Sequence, residues 1–164
     1  MPLSVEDLRD HVSYSAWASQ RLVHAASELS EAELFRDFQT SDHSVLGTLV
    51  HTFSADHLWL TRLQKSPRQQ YSSEADYRLS VLQTEWPEVY RQWDALLKGL
   101  SDEQAWAGFT YQDLRGNVWT QPMWQLVLHV VNHATHHRGQ TSGFLRMMGR
   151  VPPVLDLVAF HRSR

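Results

Sequence analysis

The chain has 164 residues, of which 42% are hydrophobic and 20% charged, and a formal net charge of −3 at pH 7. This balance excludes a disordered or fibrous protein, and the acidic charge argues against a nucleic-acid partner bound by neutralising phosphates. No apolar run approaches the roughly 20 residues that a bilayer span needs, so no membrane partner is expected. The length fits a single domain over residues 1–164.

Cysteine is absent from the chain. This excludes disulfides, a thiolate nucleophile supplied by the protein, and zinc or iron–sulfur sites built on cysteine. Residues 1–7 also lack the basic and apolar regions of a signal peptide. Together these features predict a cytoplasmic location.

Apolar periodicity predicts two long helices in the first part of the chain. The first covers residues 5–29, and its start is indicated by Ser4 with Asp7 three positions later, a pattern typical of an N-terminal cap. The second covers residues 44–65 and ends at Ser66, because the residue before a proline disfavours the helical conformation.

Two further helices are predicted in the second part. One covers residues 73–100 and contains Pro87, which should kink it or begin a new first turn. Alternating aromatic and β-branched residues over 109–120 then predict a short hairpin or irregular excursion. The last helix covers 122–148, and the tail 151–164 is predicted to be non-helical. The pattern as a whole predicts an all-α, four-helix bundle.

The most informative feature is a group of histidines in the last predicted helix. His133 and His137 are one helical turn apart on the same face, which is how a helix offers two imidazoles to one ion. His129 is one turn earlier in line with His133, so it competes as a ligand, whereas His136 points away. Ala134 stands where zincin hydrolases carry their glutamate base, which excludes that hydrolytic reaction.

A third ligand is expected from another helix, since a divalent ion is held well by three or more ligands. His51 lies in the apolar stripe of the second predicted helix. Alone it would be interpreted as a core histidine, but together with the His133/His137 pair it becomes a ligand candidate. His57 falls on the far side of that helix. A purely structural role for the histidines, without metal, stays open.

Several segments resemble the DinB-like (damage-inducible) family, which is grouped with YfiT-type metal-dependent enzymes. The most specific is Asn-His-Ala-Thr-His-His-Arg-Gly-Gln at residues 132–140, supported by residues 14–18, 44–51, 56–60 and 149–153. The resemblance implies an up-down-down-up bundle, a homodimer in many members, and a divalent metal bound by His51, His133 and His137. It also implies a link to transferases that depend on low-molecular-weight thiols.

Three neutral imidazoles leave the charge of a divalent ion uncompensated, so its vacant positions favour an anion such as hydroxide, carboxylate or thiolate. The ligand set is compatible with Zn or Ni foremost, and with Mn, Co or Fe. The candidates for orienting the ligand rings are Asn132, Gln140, Asp56 and Asp156. Arg138 and Arg146 either bind an anionic substrate tail or belong to a solvated helix face.

Two functions from different classes follow. One is a metal-dependent transferase in which the ion activates a small-molecule thiol, or water, toward an electrophilic small molecule. The alternative is a non-catalytic, metal-stabilised module that binds a ligand or partner in a stress response. The sequence assigns no catalytic residue, and no carboxylate stands out beside the triad as a general base, which keeps the alternative open.

Overall fold

The computed structural model describes residues 3–66 and 78–164. It contains four long helices, α1 (Val5–Ser27), α3 (Val45–Leu63), α4 (Leu79–Lys98) and α6 (Met123–Met147). Three short helices are α2 (Glu31–Leu34), α5 (Asp102–Trp106) and α7 (Leu157–Arg162), and two strands are β1 (Gly108–Gln112) and β2 (Val118–Pro122). None of the described helices is both long enough and apolar enough to cross a membrane.

The helix ends follow from local sequence. Ser4 caps α1 through the predicted capping box with Asp7, and the Ser44 side chain accepts a hydrogen bond from the backbone N–H of Gly47 at the start of α3. α6 starts directly after Pro122 and is followed by Gly149 at φ +76°, a left-handed conformation that glycine adopts without strain. These ends lie within two residues of those predicted.

The long helices form a closed ring, in which α1 packs on α4 and α6, and α3 packs on the same two helices. α3 and α6 are antiparallel, because His51 lies against His137 while Trp59, later in α3, lies against His129, earlier in α6. Residue numbers along this α3/α6 seam therefore increase in opposite directions on the two helices.

The remaining directions follow in the same way. Arg9 binds Asp94 whereas Ser19 lies beside Tyr90, so α1 and α4 are antiparallel. Phe53 packs on Trp86, and the backbone oxygen of Asp56 accepts a hydrogen bond from Trp93, so α3 and α4 are parallel. The bundle is thus up-down-down-up, which confirms the arrangement that the family resemblance implies.

Two expectations about secondary structure are refined, and part of a third is not tested. The predicted excursion is a two-stranded antiparallel hairpin pairing Gly108 with Pro122 and Gln112 with Val118. α4 continues without a break through Pro87, which excludes a new helix start there. Residues 73–77 of the predicted third helix lie outside the described residues.

The expectation of a non-helical tail was wrong, because α7 occupies Leu157–Arg162. This helix is too short for periodicity to reveal, and it forms where Phe160 packs edge-on against Tyr14 and beside Trp17 of α1. The Tyr14 hydroxyl also donates a hydrogen bond to the backbone oxygen of Leu155. Tertiary contact with α1 therefore holds the tail in place.

Candidate metal centre

The three predicted ligand residues come together at the α3/α6 seam. His51 projects from α3, and His133 and His137 project from successive turns of α6. The Nε2 atom of His133 lies 3.2 Å from Nε2 of His51 and 3.2 Å from Nε2 of His137. One ring nitrogen from each residue lies within 4.8 Å of the other two. We call these three residues the histidine triad.

The spacing of these nitrogens matches the dimensions of a metal site. A cation bound at about 2.0–2.1 Å, with angles of about 90–110° between ligands, holds neighbouring nitrogens about 2.9–3.4 Å apart. The observed separations of 3.2 Å fall inside that range. The separations of His133 from the other two rings therefore fit a shared divalent cation.

Hydrogen bonding on the outer side of the rings fixes where their lone pairs point. The Nδ1–H group of His137 donates to Oε1 of Gln140 over 2.7 Å, which leaves Nε2 with a free lone pair. The two carboxylate oxygens of Asp42 lie 3.6 Å from Nδ1 of His51 and 3.6 Å from Nδ1 of His137. Asp42 therefore favours the proton on Nδ1 in both rings.

Two lone pairs, from His51 and His137, consequently face Nε2 of His133. A proton on Nε2 of His133 can form a hydrogen bond to only one of these lone pairs at a time, whereas a cation can be bound by all three nitrogens at once. Burial, followed by the neighbouring histidines, lowers the pKa of His133 to about 4. Burial also lowers the pKa of His137, against the opposing effects of Gln140 and Asp42. Both rings are therefore neutral at pH 7, the form that binds metal.

Comparison with known proteins agrees with the sequence resemblance. The DinB family model matches residues 1–164. The chain belongs to the DinB family. It is also similar to Protein DinB from Bacillus subtilis (strain 168), with 26% identity over 145 residues that cover 83% of each chain. Membership of the DinB family and the histidine triad together fit a metal-binding protein.

Asp42 is the site residue that the sequence analysis missed in this DinB family member. It lies in the loop before α3, and this loop packs closely because residue 47 is glycine. A Cβ atom at Gly47 would overlap the backbone oxygen of Asp42. The only sequence signal was an acidic residue just before the Ser44 cap, a pattern that ordinarily indicates helix capping rather than contact with histidines two turns away.

The residues proposed to orient the triad have different outcomes. Gln140 does contact His137, as predicted. Asp56 was a wrong candidate, because it is fully buried and binds Trp86 and Tyr90 instead. Asn132 and Asp156 are exposed, and neither is hydrogen-bonded to the triad within the parts of the chain that the structure describes.

The other histidines stay outside the group of three. His129, the competing ligand, lies edge-on against Trp59 with ring centroids 5.3 Å apart, and its ring centroid is 6.0 Å from that of His133. His136 is exposed, as the helical position predicts. His57 packs beside Phe53 on another face of α3.

Arg138 is not on a solvated face, nor does it bind a substrate tail there, because only 3% of it is exposed. Its Nη1 atom donates to the Ser15 hydroxyl over 2.8 Å, and its Nη2 atom donates to the Thr135 hydroxyl over 2.8 Å. The guanidinium also lies over the Tyr14 ring. Arg138 thus joins α6 to α1, whereas Arg146 is exposed on the last turn of α6.

Arg138 is part of a second buried polar group. The Oδ2 atom of Asp56 accepts hydrogen bonds from Nε1 of Trp86 at 2.9 Å and from the Tyr90 hydroxyl at 2.7 Å. The Tyr90 oxygen in turn lies 3.2 Å from the Ser19 hydroxyl. Burial raises the pKa of Asp56 to about 6, although the hydrogen bonds from Tyr90 and Trp86 oppose this. We call these side chains the core polar cluster: Ser15, Ser19, Asp56, Trp86, Tyr90 and Arg138.

Proposed function

We propose that the chain is a divalent-metal-binding protein of the DinB family whose ion is held by His51, His133 and His137. The observation that carries the proposal is the convergence of three imidazole nitrogens, in which Nε2 of His51 and Nε2 of His137 each lie 3.2 Å from Nε2 of His133 and direct their lone pairs at it. Zn²⁺ or Ni²⁺ suits this nitrogen ligand set best, and Mn²⁺, Co²⁺ or Fe²⁺ is compatible with it.

We further propose that the protein is a metal-dependent transferase for a small molecule. A divalent cation with an open position supplies Lewis acidity that lowers the pKa of a bound thiol or water. Because the chain has no cysteine, the thiol must be a cosubstrate of low molecular weight. The chain's own contribution is to orient the rings of His51 and His137, through Asp42 and Gln140.

A specific observation keeps the non-catalytic alternative under consideration. The carboxylate of Asp42 lies behind the rings, on the Nδ1 side, and that of Asp113 is engaged by its own turn. Neither is placed as a general base in front of the triad. A metal-stabilised module that binds a ligand or partner in a stress response would need no such base.

Turnover measurements distinguish the two functions. Metal-loaded wild-type protein is incubated with a model electrophile and several thiols, beside His133→Ala and the exposed-site control His136→Ala. The transferase predicts thiol-dependent product formation by the wild type and by His136→Ala, and none above background by His133→Ala. Equal rates in all three proteins would contradict it. The binding module instead predicts that metal raises the melting temperature while no pair of substrates turns over.

The assembly and location of the protein are further proposals. We propose a homodimer, from the resemblance to the family, and a cytoplasmic location, from the absence of cysteine. A small molecule is proposed as partner, rather than a nucleic acid or a membrane. Sedimentation velocity of the metal-loaded protein tests the dimer directly.

A further inference from the structure

A cavity of about 440 Å³ opens beside the histidine triad. His51 and His133 form part of its lining, and the remaining walls come from α3, from His129 on α6 and from the β1–β2 turn. Its volume lies in the range of small-molecule sites. The cavity therefore gives a ligand bound at the triad room to extend toward the hairpin.

Two arginines from separate elements line this cavity. Arg62, on α3, holds its guanidinium carbon 4.7 Å from the centroid of the Trp59 ring. Arg115 stands at the tip of the hairpin, and its guanidinium has no hydrogen-bonding partner among residues 3–66 and 78–164. Two guanidinium groups therefore line one cavity in a chain whose formal net charge is −3.

Among the described residues, Asp113 supplies the one carboxylate of the cavity wall, and it is directed into its own turn. Its Oδ1 atom accepts from the backbone N–H groups of Arg115 at 2.8 Å and Asn117 at 2.9 Å. Its Oδ2 atom accepts from Nε1 of Trp119 at 3.0 Å and from the Asn117 amide at 3.0 Å. The hydrogen bond from Trp119, followed by the others, holds the pKa of Asp113 well below its usual range. Asp113 thus shapes the turn that carries Arg115.

The cavity also has flat apolar surfaces. Trp59 is fixed by edge-on contacts with Tyr111 and His129, with ring centroids 5.1 and 5.3 Å away. Trp119 on β2 stays 51% exposed although its indole N–H is bonded to Asp113. Such surfaces favour an aromatic or apolar body, which shields them from water.

We infer that this cavity selects a metal ligand that has a flat apolar body and carries a carboxylate at its far end, which Arg115 binds. The inference rests on the proposed function, because the near end of the ligand coordinates the triad's cation. It assigns Arg115 and Trp119 as specificity-determining residues. Arg115 thereby takes the role of binding an anionic tail, for which the sequence analysis had considered Arg138 and Arg146. Arg146 does not line this cavity.

A pair of probes that differ only in the carboxylate tests this assignment. The protein is loaded with Co²⁺, whose visible absorption reports thiolate ligation, and titrated with thiophenol and with 4-mercaptobenzoate. We expect wild-type protein to bind 4-mercaptobenzoate about tenfold more tightly, the effect of one charge-assisted hydrogen bond. Arg115→Gln should lose this preference, Arg115→Lys should restore part of it, and the matched control Arg146→Gln should keep it.

The outcomes separate the inference from the function on which it rests. No preference in the wild type, or the same preference in Arg115→Gln, would overturn the assignment of Arg115. An equal loss of affinity for both probes in Arg115→Gln would also overturn it, because that variant would have disturbed the cavity rather than the carboxylate contact. Absence of Co²⁺ binding before any thiol is added would overturn the metal site itself and the inference with it.

Discussion

The histidine triad lies between α3 and α6, and the core polar cluster joins all four long helices. Both place ionisable side chains inside the bundle, yet their hydrogen bonding differs. In the core polar cluster, most donors meet acceptors: Trp86 and Tyr90 donate to Asp56, and Arg138 donates to Ser15. Only Oδ1 of Asp56 and Nε of Arg138 in this cluster are buried without a hydrogen-bonding partner among the described residues. In the triad, the lone pairs of His51 and His137 face the same nitrogen of His133, beside a cavity.

This difference indicates how polar groups inside a helical bundle are to be interpreted. A buried group that finds its partner within the protein contributes to the fold, because leaving it unpaired costs free energy. A group whose neighbours offer only more acceptors is suited to bind something from outside the chain, and for the triad we propose a cation. The two clusters should therefore respond differently to the same experiments, the triad through metal binding and the core polar cluster through stability.

The largest expected effect is on metal binding. His133→Ala removes the nitrogen that the other two rings share, and we expect stoichiometric binding to be abolished, a loss greater than the roughly 10–100-fold that removal of an outer-shell partner causes. Isothermal titration with Zn²⁺ measures it, and the neighbouring exposed His136→Ala is the control. Retention of one Zn²⁺ per chain by His133→Ala would refute the triad.

A large loss of stability is expected from the core polar cluster. Asp56→Ala leaves the Trp86 and Tyr90 donors unpaired in the core, which should lower the free energy of unfolding by about 2–4 kcal/mol. Urea denaturation of metal-free protein measures the change. The surface control Asp94→Ala breaks partly exposed ion pairs and should cost less than about 1 kcal/mol. If Zn²⁺ affinity fell with Asp56→Ala as with His133→Ala, the two clusters would not be independent.

The raised pKa of Asp56 predicts that the stability of the protein depends on pH. Burial raises the pKa of Asp56 to about 6 from its ordinary 3.8, so between these values the folded chain keeps a proton that the unfolded chain releases. The wild type should therefore lose stability relative to Asp56→Asn as the pH rises from about 4 to about 6, by on the order of 2–3 kcal/mol, and remain level above that. Urea midpoints of both metal-free proteins at pH 4 to 7 test it; a constant difference would count against a raised pKa.

The smallest expected effect concerns ring orientation. Gln140→Ala removes the acceptor for Nδ1 of His137 while Asp42 remains nearby, so we expect Zn²⁺ affinity to fall about tenfold with little loss of stability. Gln125→Ala, at an exposed position on α6, is the matched control. Equal Zn²⁺ affinities in the two variants would show that Gln140 does not orient the ring.

Much of the fold was predictable because the apolar periodicity of a long amphipathic helix is visible in the local sequence. The bounds of α1, α3 and α6 and the hairpin before α6 follow from periodicity, caps and turn residues. The short helices α2, α5 and α7 did not, because segments of four to six residues are too short to show periodicity. The capping boxes that begin α2 at Ser30 and α5 at Ser101 were the available local signals. The assignment of residues 1–164 to a single domain stays a prediction.

Sequence alone established that the chain has no cysteine, that His133 and His137 share a helix face, and that the family pattern adds His51. Tertiary structure alone decided that Asp42 lies behind two of these rings, that Arg138 and Asp56 turn into the core, and that Arg115 faces the cavity. The physical reason is that helical periodicity indicates which face of a helix is buried, whereas the residue opposite that face is chosen by the direction and packing of another helix or loop.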